Sequence, residues 1–557
     1  MCPQVVPEDP DSPGQSEDCL YANVFTSEGC LTRGGCPVMY YVFGGAWVFG
    51  DTSKFGDASF VDRFASQGIV AMNFHYRIDI LGFFNADDAE IPTNFAFWDL
   101  IEALRWIQRD IVHFGGNPNQ VTIMGHSSGA HGVDLLSVLP ITEGLFHQVL
   151  PMSGFATMSP LNGSIIAEAS RDIAVQMNCT TSEQWAKAGT GGKRAIVNCL
   201  RQIDAATLLN AAQKMQQGGT LSASPFSSPV VDGPNDEFAP EGAGMYIPPL
   251  LARLVVEFGC PGIAKSNFTG VYKHPERIGH FCVDYYEEGG VSVEDHLLSD
   301  VTFFVPAFRE ATVMNQKLKG AAASGGSVWL YSFEHANFTL HAFDLFLMLG
   351  MFSRFDDPFS RVDRTLGTIY ARYFANFIKT GDPNDPVTEG FVERWLPLQY
   401  PDGHNAFAID WKNVTEPLSG RVREIRPHNQ RYYQRTAVEF WNDLVVAEDA
   451  KRFSVYDLPH RHYLETWLRG DDDDGDGDDD DHNSGKGLVA DSALTAADGS
   501  RFRIGLTGEK GRGGGGGESA AAFAFLTAAL VALSAFVIVV ATKYKPARKR
   551  GQYATLG

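Results

Sequence analysis

The sequence lacks the short motifs that commonly bind metal ions and nucleotides. It has no His-Glu-x-x-His segment, no P-loop and no paired Cys-x-x-Cys, so it predicts neither a metal site nor a cofactor. It also lacks a basic patch interleaved with aromatic residues, and its net charge is −22, which disfavours a nucleic-acid partner. Nine aspartates lie between Asp471 and Asp481, and the remaining acidity is spread along the chain as on an ordinary soluble surface.

The first residues do not have the pattern of a secretion leader, because Met1-Cys2-Pro3-Gln4 is neither a charged segment nor the start of an apolar one. Residues 520–542 at the other end are apolar for 23 positions, enough to cross a bilayer at about 1.5 Å per residue. Basic residues from Lys543 to Arg550 follow and favour the cytoplasmic side. We therefore expect a single-pass type I protein of the cell membrane whose true N-terminus precedes Met1. A tail anchor and a GPI signal are the alternatives.

Eight cysteines favour an oxidising compartment and argue against the tail anchor. They are Cys2, Cys19, Cys30, Cys36, Cys179, Cys199, Cys260 and Cys282. Pairing them in chain order is the simplest disulfide pattern, and reduced structural cysteines are the alternative. Glycosylation sequons stand at Asn162, Asn178, Asn267, Asn337 and Asn413, and they add weight to an extracellular location.

One pentapeptide, Gly125-His126-Ser127-Ser128-Gly129, has the form G-x-S-x-G. A β-branched and apolar run enters it and small residues followed by Val133 and Leu135 leave it, which indicates strand, sharp turn and helix. In such a turn the central serine is strained and projects outward, and a Cβ at either glycine would collide with the turn. The N–H of Ser128 would then point at the carbonyl that Ser127 attacks.

A second stretch, Gly44-Gly45-Ala46-Trp47, follows the apolar strand predicted at 37–43. Small residues there let backbone N–H groups turn into a cavity, as an oxyanion hole requires; a simple Gly-Gly turn is the other interpretation. Gly68–Tyr76 predicts another strand, Asp99–Arg109 a helix and Phe114–Pro118 a turn. Alternating strands and helices predict a mostly parallel central sheet with helices on both faces.

These motifs together resemble the carboxylesterase type B family, the cholinesterase-like branch of the α/β-hydrolases. The matching segments are SEDCLYANVF, FGGAW, FGGNPNQVTIMGHSSGA, FSSPVVDGPNDEF, YARYFANFIKTGDPN and EFWND. The resemblance covers roughly residues 2–445. It implies an α/β-hydrolase fold and a serine esterase.

The resemblance also implies the site residues. Ser127 is the expected nucleophile, and the N–H groups of Gly45, Ala46 and Ser128 are the expected oxyanion donors. His341, in His-Ala-Phe-Asp-Leu, is the expected base, with His335 as a weaker candidate. Glu241, in Glu-Gly-Ala-Gly-Met-Tyr, is the expected acid, and the order Ser, Glu, His is that of this fold. Asp300 is the alternative acid.

The chain departs from the family pattern in four places. The opening strands before Cys2 and one core strand before Glu241 are absent from the sequence. A sheet that lacks them is therefore the expected fold, and the two explanations are omitted coding segments and a shortened protein. The interval between Cys2 and Cys19 is too short for the family's choline-binding loop, and His126 stands where cholinesterases have glutamate. A general carboxylic ester is therefore the expected substrate, and acetylcholine is disfavoured.

We divide the chain into four parts. Residues 2–465 form the predicted carboxylesterase domain, 471–519 an acidic and Gly-rich stalk, 520–542 the transmembrane helix and 543–557 a cytoplasmic tail. The aspartate run cannot form a core, and weak calcium binding is its alternative role. The expected function is a membrane-anchored extracellular ester hydrolase. The alternative is a neuroligin-like adhesion receptor with an extracellular protein partner.

Overall fold

The computed structural model describes residues 1–5, 14–156, 163–217, 226, 260, 272–288, 300–320, 326–334, 341–351, 359–384, 393–399, 405–415, 422–430, 437–438, 440–451, 494–495 and 501–502. Glu241, His335, the sequons at Asn162, Asn267 and Asn337, and the apolar segment 520–542 lie outside these residues. The boundaries proposed for the stalk, the membrane helix and the tail therefore stay predictions.

The strands are β1 (Ala22–Phe25), β2 (Cys36–Val42), β3 (Val70–Phe74), β4 (Gly116–His126), β5 (Gln148–Met152), β6 (Tyr331–Phe333), β7 (Ala406–Ile409), β8 (Lys412–Thr415), β9 (Val422–Ile425), β10 (His428–Gln430), β11 (Leu494–Thr495) and β12 (Arg501–Phe502). The main sheet has the order β1-β3-β2-β4-β5. Its pairs are parallel except for β1 with β3. The sheet is therefore mostly parallel, as the sequence predicts.

The helices are α1 (Glu28–Arg33), α2 (Asp57–Arg63), α3 (Asp79–Phe83), α4 (Phe95–Asp110), α5 (Ser128–Val138), α6 (Gly163–Gln176), α7 (Ser182–Lys187), α8 (Thr190–Leu200), α9 (Ala205–Gln217), α10 (Pro275–Glu288), α11 (Val305–Gly320), α12 (Phe343–Leu349), α13 (Arg361–Thr380) and α14 (Val445–Ala450). Helix α4 buries Phe97, Leu100, Ile101 and Leu104. This i, i+3, i+4, i+7 spacing puts all four on one face, which packs into the core.

Strand β2 lies in the middle of the sheet because its apolar run suits burial on both faces. Val38 to Val42 are at most 1% exposed, and helices on both sides of a parallel sheet require such runs. Strand β4 starts at Gly116, inside the predicted turn, because Cys36 of β2 pairs with Gly116 before a register shift. Only its buried end, from Val121 onward, has the apolar pattern of a central strand.

A smaller sheet has the order β10-β7-β6. Phe407 and Ile409 of β7 share one apolar core with Val38 and Tyr40 of the main sheet. Among the described strands, no hydrogen-bonded pair joins the two sheets. Residues 227–259, where the missing core strand would belong, lie outside the described part of the chain, so its absence remains a prediction.

Four disulfides pair the eight cysteines in chain order: Cys2–Cys19, Cys30–Cys36, Cys179–Cys199 and Cys260–Cys282. Closing these loops restricts the unfolded chain and so favours the folded state. Within the residues that the structure covers, no helix is both long and apolar enough to cross a membrane.

Candidate active site

Ser127 stands at the sharp turn between β4 and α5. Its φ and ψ are 59° and −127°, a region that non-glycine residues rarely occupy and that costs on the order of 1–3 kcal/mol. A Cβ on Gly125 would lie 2.2 Å from the Gly129 carbonyl oxygen, and a Cβ on Gly129 would lie 2.2 Å from the Val42 oxygen. The two glycines therefore let the turn close against itself and against β2.

Hydrogen bonds on both sides hold the strained serine in place. The Ser127 N–H donates to the Met152 oxygen of β5 at 2.9 Å, and the His131 N–H of α5 donates to the Ser127 oxygen at 3.0 Å. Gly154 packs so closely that a Cβ there would lie 2.2 Å from the Ser127 oxygen. The backbone is thus fixed by the sheet and the helix together, which leaves the side chain free to react.

His341 lies at hydrogen-bond distance from Ser127. The His341 Nε2 atom is 2.9 Å from the Ser127 Oγ atom, although the two residues are 214 positions apart in the chain. His341 directly precedes α12, and the positive φ of Ala342, 76°, turns the chain into that helix. This distance is within the range that a general base needs to take the serine proton.

The imidazole of His341 is held in its neutral form. Although part of the residue is exposed, the protein packed around the ring and the nearby His126 together lower its pKa to about 3, while Asp344 acts in the opposite direction. The ring centroids of His126 and His341 are 4.9 Å apart. A neutral imidazole is able to accept a proton at neutral pH.

Asp344 and His126 form a buried pair behind His341. The side chains of His126 and Asp344 are 4% and 8% exposed, and the His126 Nε2 atom lies 3.7 Å from the Asp344 Oδ1 atom. The Tyr370 hydroxyl donates to Asp344 Oδ2 at 3.4 Å. Burial alone raises the pKa of Asp344, but His126, the Leu345 N–H and His341 together hold it below the ordinary value. Asp344 is therefore ionised.

Of the two carboxylates considered from sequence, the structure describes only Asp300. Glu241 is outside the described residues, so its role stays a prediction. Asp300 accepts a hydrogen bond from the Tyr286 hydroxyl at 2.9 Å and belongs with Tyr286 and Trp441 to a second group of buried contacts. Sequence reasoning missed Asp344 as a charge next to the site. The available signal was its position three residues after His341, on the first turn of α12.

The predicted donor loop packs against the turn at Ser127. Gly45, Ala46 and Trp47 have positive φ values of 144°, 53° and 62°. A Cβ on Gly45 would lie 1.8 Å from the Phe49 oxygen, so only glycine fits there. The Trp47 ring is buried and contacts Tyr76, Phe83 and Phe97 edge-on or tilted, which anchors the loop to the core.

The three predicted oxyanion donors differ in their partners. The Gly45 N–H donates to the Ser128 Oγ atom at 3.0 Å, and the Trp47 N–H donates to the same atom at 3.2 Å. The N–H groups of Ala46 and Ser128 make no hydrogen bond within the part of the chain that the structure describes. Ala46 and Ser128 therefore offer open donors, while the Gly45 donor is bound to a side chain.

The sequons can be placed only in part. Asn178 is exposed and adopts a positive φ of 59°, next to the disulfide of Cys179. Asn413 lies on strand β8. The three others are outside the described residues, and glycosylation at all five positions stays a prediction.

An α/β sheet that carries a strained serine at the end of a parallel strand, with a histidine at hydrogen-bond distance, is the arrangement of a serine hydrolase. Comparison with known families makes this more specific. The model of the carboxylesterase family matches residues 1–247 and 290–441. The chain belongs to the carboxylesterase family and is thus a serine carboxylic ester hydrolase. Membership also implies the α/β-hydrolase fold.

The chain is also similar to individual ester hydrolases, as expected for a member of this family. The chain is similar to a liver carboxylesterase of Sus scrofa, at 27% identity over 78% of each chain. It is 30% identical to an acylcarnitine hydrolase of Mus musculus, over 78% of each chain. It is 25% identical to gut esterase 1 of Caenorhabditis briggsae, over 77% of this chain and 80% of the relative.

Proposed function

We propose that the protein hydrolyses carboxylic esters with Ser127 as nucleophile, His341 as general base and Glu241 as the supporting acid. The observation that carries this proposal is the distance of 2.9 Å between Ser127 Oγ and His341 Nε2. A serine hydroxyl becomes a useful nucleophile when a base at this distance takes its proton.

The reaction has two acyl-transfer steps. Ser127 attacks the ester carbonyl as its proton passes to His341 Nε2, and the resulting oxyanion accepts hydrogen bonds from the N–H groups of Ala46 and Ser128. The intermediate collapses, the alcohol leaves with the proton from His341, and an acyl-serine remains. Water then attacks the acyl-serine with His341 again as base, which releases the acid and restores Ser127.

Charge near the base supports this cycle. His341 becomes an imidazolium in each step, and a neighbouring carboxylate stabilises that cation. Glu241 is the proposed partner, and the ionised Asp344 also raises the pKa of His341. His126 opposes the cation, since it lowers the pKa of His341. The pKa of His341 is therefore raised by Asp344 and lowered by His126.

The substrate class is proposed from the relatives and from the entrance to the site. The relatives are named as carboxylesterases and as an acylcarnitine hydrolase, so acyl esters of small alcohols are the proposed substrates. The Cys2–Cys19 interval, with a sequence separation of 17, is too short for the long loop that offers an aromatic side chain to a quaternary ammonium in cholinesterases. Choline esters are therefore expected to be poor substrates.

We also propose that the enzyme acts outside the cell, anchored in the cell membrane. The apolar segment 520–542 and the basic residues after it are typical of a type I membrane anchor. The four disulfides favour an oxidising compartment for the catalytic domain. The acidic and Gly-rich stretch 471–519 would act as a solvated stalk between the two.

A fluorophosphonate probe and p-nitrophenyl butyrate turnover test the chemistry. We expect the wild type to be labelled and active, Ser127→Ala to be unlabelled, and His341→Gln to lose at least about 10³-fold in kcat. Ser137→Ala is the matched control, because Ser137 lies on the same helix and its hydroxyl caps the Asp134 carbonyl. An unlabelled, folded wild type would refute the proposal and favour the adhesion receptor.

A further inference from the structure

The side chain of Ser128 occupies an unusual place in the site. Its Oγ atom accepts two backbone hydrogen bonds, from Gly45 at 3.0 Å and from Trp47 at 3.2 Å. The residue is only 8% exposed. The hydroxyl therefore bridges the start of α5 to the donor loop, directly beside the nucleophile.

The hydrogen-bonding capacity of this hydroxyl is only partly used. A serine hydroxyl has two acceptor lone pairs and one donor proton, and the two N–H groups occupy both lone pairs. The proton finds no acceptor in the described part of the chain. A buried donor without an acceptor is costly, so the arrangement indicates a partner that arrives with the substrate.

The donor loop and the nucleophile are in close contact here. A Cβ on Gly44 would lie 2.8 Å from the Ser127 Cβ atom, so the loop runs against the reactive serine. Ala46, whose N–H is open, stands in the chain between the two residues that donate to the Ser128 Oγ atom, and the other open N–H belongs to Ser128 itself. The oxygen that develops negative charge when Ser127 attacks an ester belongs beside these groups.

We propose that the Ser128 hydroxyl is itself an oxyanion donor, so that Ser128 stabilises the tetrahedral intermediate with both its N–H and its O–H. The hydroxyl donates to the oxyanion in place of the Gly45 N–H, because that N–H already donates to the Ser128 Oγ atom. Two N–H groups that donate to Oγ withdraw charge from it and strengthen the O–H as a donor. Toward the oxyanion the hydroxyl acts as a hydrogen-bond donor, and it keeps its proton throughout the reaction. The inference rests on the proposed ester hydrolysis.

The competing interpretation is that the hydroxyl merely blocks the Gly45 N–H. In that case Ser128→Ala would release the Gly45 donor to the oxyanion, and activity would stay equal or rise. If the hydroxyl donates, the same substitution removes the O–H donor and frees the Gly45 N–H in its place. Loss of an oxyanion donor typically lowers kcat by about 10²- to 10³-fold. For Ser128→Ala we expect kcat to fall by about 10- to 100-fold, because the freed Gly45 N–H partly replaces the lost hydroxyl.

The test compares wild type, Ser128→Ala, Ser128→Cys and the control Ser137→Ala. For each, kcat and KM are measured with p-nitrophenyl butyrate, and the inhibition constant is measured for an alkyl trifluoromethyl ketone, whose adduct carries the oxyanion. We expect kcat to fall about 10- to 100-fold with KM within about twofold. The inhibition constant of the trifluoromethyl ketone should rise by a similar factor. Ser128→Cys should behave like Ser128→Ala, because a thiol fills the site but donates weakly.

The outcomes separate the two proposals. Wild type that turns over the ester, with Ser128→Ala as fast or faster, overturns the donor role and leaves ester hydrolysis intact. A change in KM alone, or a folded Ser128→Cys with full kcat, overturns it as well. Wild type without any turnover is a failure of the proposed function instead. If Ser128→Ala does not fold by thermal melting, Ser128→Cys decides the question.

Discussion

Gly129→Ala should inactivate the enzyme far more than it destabilises the fold. The added Cβ would lie 2.2 Å from the Val42 oxygen and 2.6 Å from the Phe43 oxygen. Both oxygens are backbone atoms at the end of β2, just before the donor loop, so neither is able to rotate away. Carbon–oxygen contacts of this kind normally measure about 3.3 Å or more. The end of β2 and the start of α5 must therefore separate by about 1 Å.

The size of that displacement sets the expected effect. Strain from an oversized side chain in a packed region costs about 1–3 kcal/mol of folding stability, partly offset because alanine favours a helix over glycine by about 1 kcal/mol. A shift of about 1 Å between catalytic groups costs about 10²-fold in rate. We expect kcat/KM to fall about 100-fold while the free energy of unfolding falls by at most about 2 kcal/mol.

Gly191→Ala is the matched control for this substitution. Gly191 lies on α8, is exposed, and has nothing within 4 Å of an added Cβ. This variant should keep full activity and gain up to about 1 kcal/mol. Activity is measured with p-nitrophenyl butyrate and stability by thermal melting of both variants. A folded Gly129→Ala variant with kcat/KM within twofold of wild type would show that the contact between α5 and β2 does not position the donors.

Two further predictions concern pH. Burial and the nearby Glu310 charge raise the pKa of Asp134 to about 7, while the Ala156 N–H and Lys317 act in the opposite direction. The free energy of unfolding should therefore fall as the pH rises from about 4 through 7. Asp134→Asn, whose amide oxygen is still able to accept from Ala156, should flatten that dependence in melting curves, and an unchanged slope between pH 5 and 8 would contradict it. His341 has its pKa lowered to about 3, so the acid limb of kcat/KM should lie below the ordinary histidine value of about 6.5. Because His126 contributes to that lowering, His126→Asn should move the limb to higher pH, and a limb that stays in place would contradict this.

The strands and the turn at Ser127 were predictable because their signals are local. An apolar run such as Val38–Val42 is required wherever a strand is covered on both faces. The two glycines around Ser127 reflect contacts within five residues and with one neighbouring strand. By contrast, β6 and β7 are short, at 3 and 4 residues, and such runs are too brief for a period to emerge.

The site beyond the nucleophile was less accessible from sequence. His341 was found through the family resemblance, since a lone histidine 214 positions from Ser127 carries no local signal of its role. The engagement of the Gly45 N–H by Ser128 and the pair of His126 with Asp344 depend on how separate elements pack. Neither spacing nor composition determines such contacts, which arise only when the chain is folded.

The separation between Ser127 and His341 also sets an order in time. A ribosome adds about 5–20 residues per second, so the 214 residues between them take about 10–40 s to synthesise. During that interval the first sheet is able to form with its strained serine but without a base. The nascent chain is therefore unable to hydrolyse esters until the segment that carries His341 has folded against the sheet. Reactivity toward a fluorophosphonate would then report that the segment with His341 has folded against the sheet that carries Ser127.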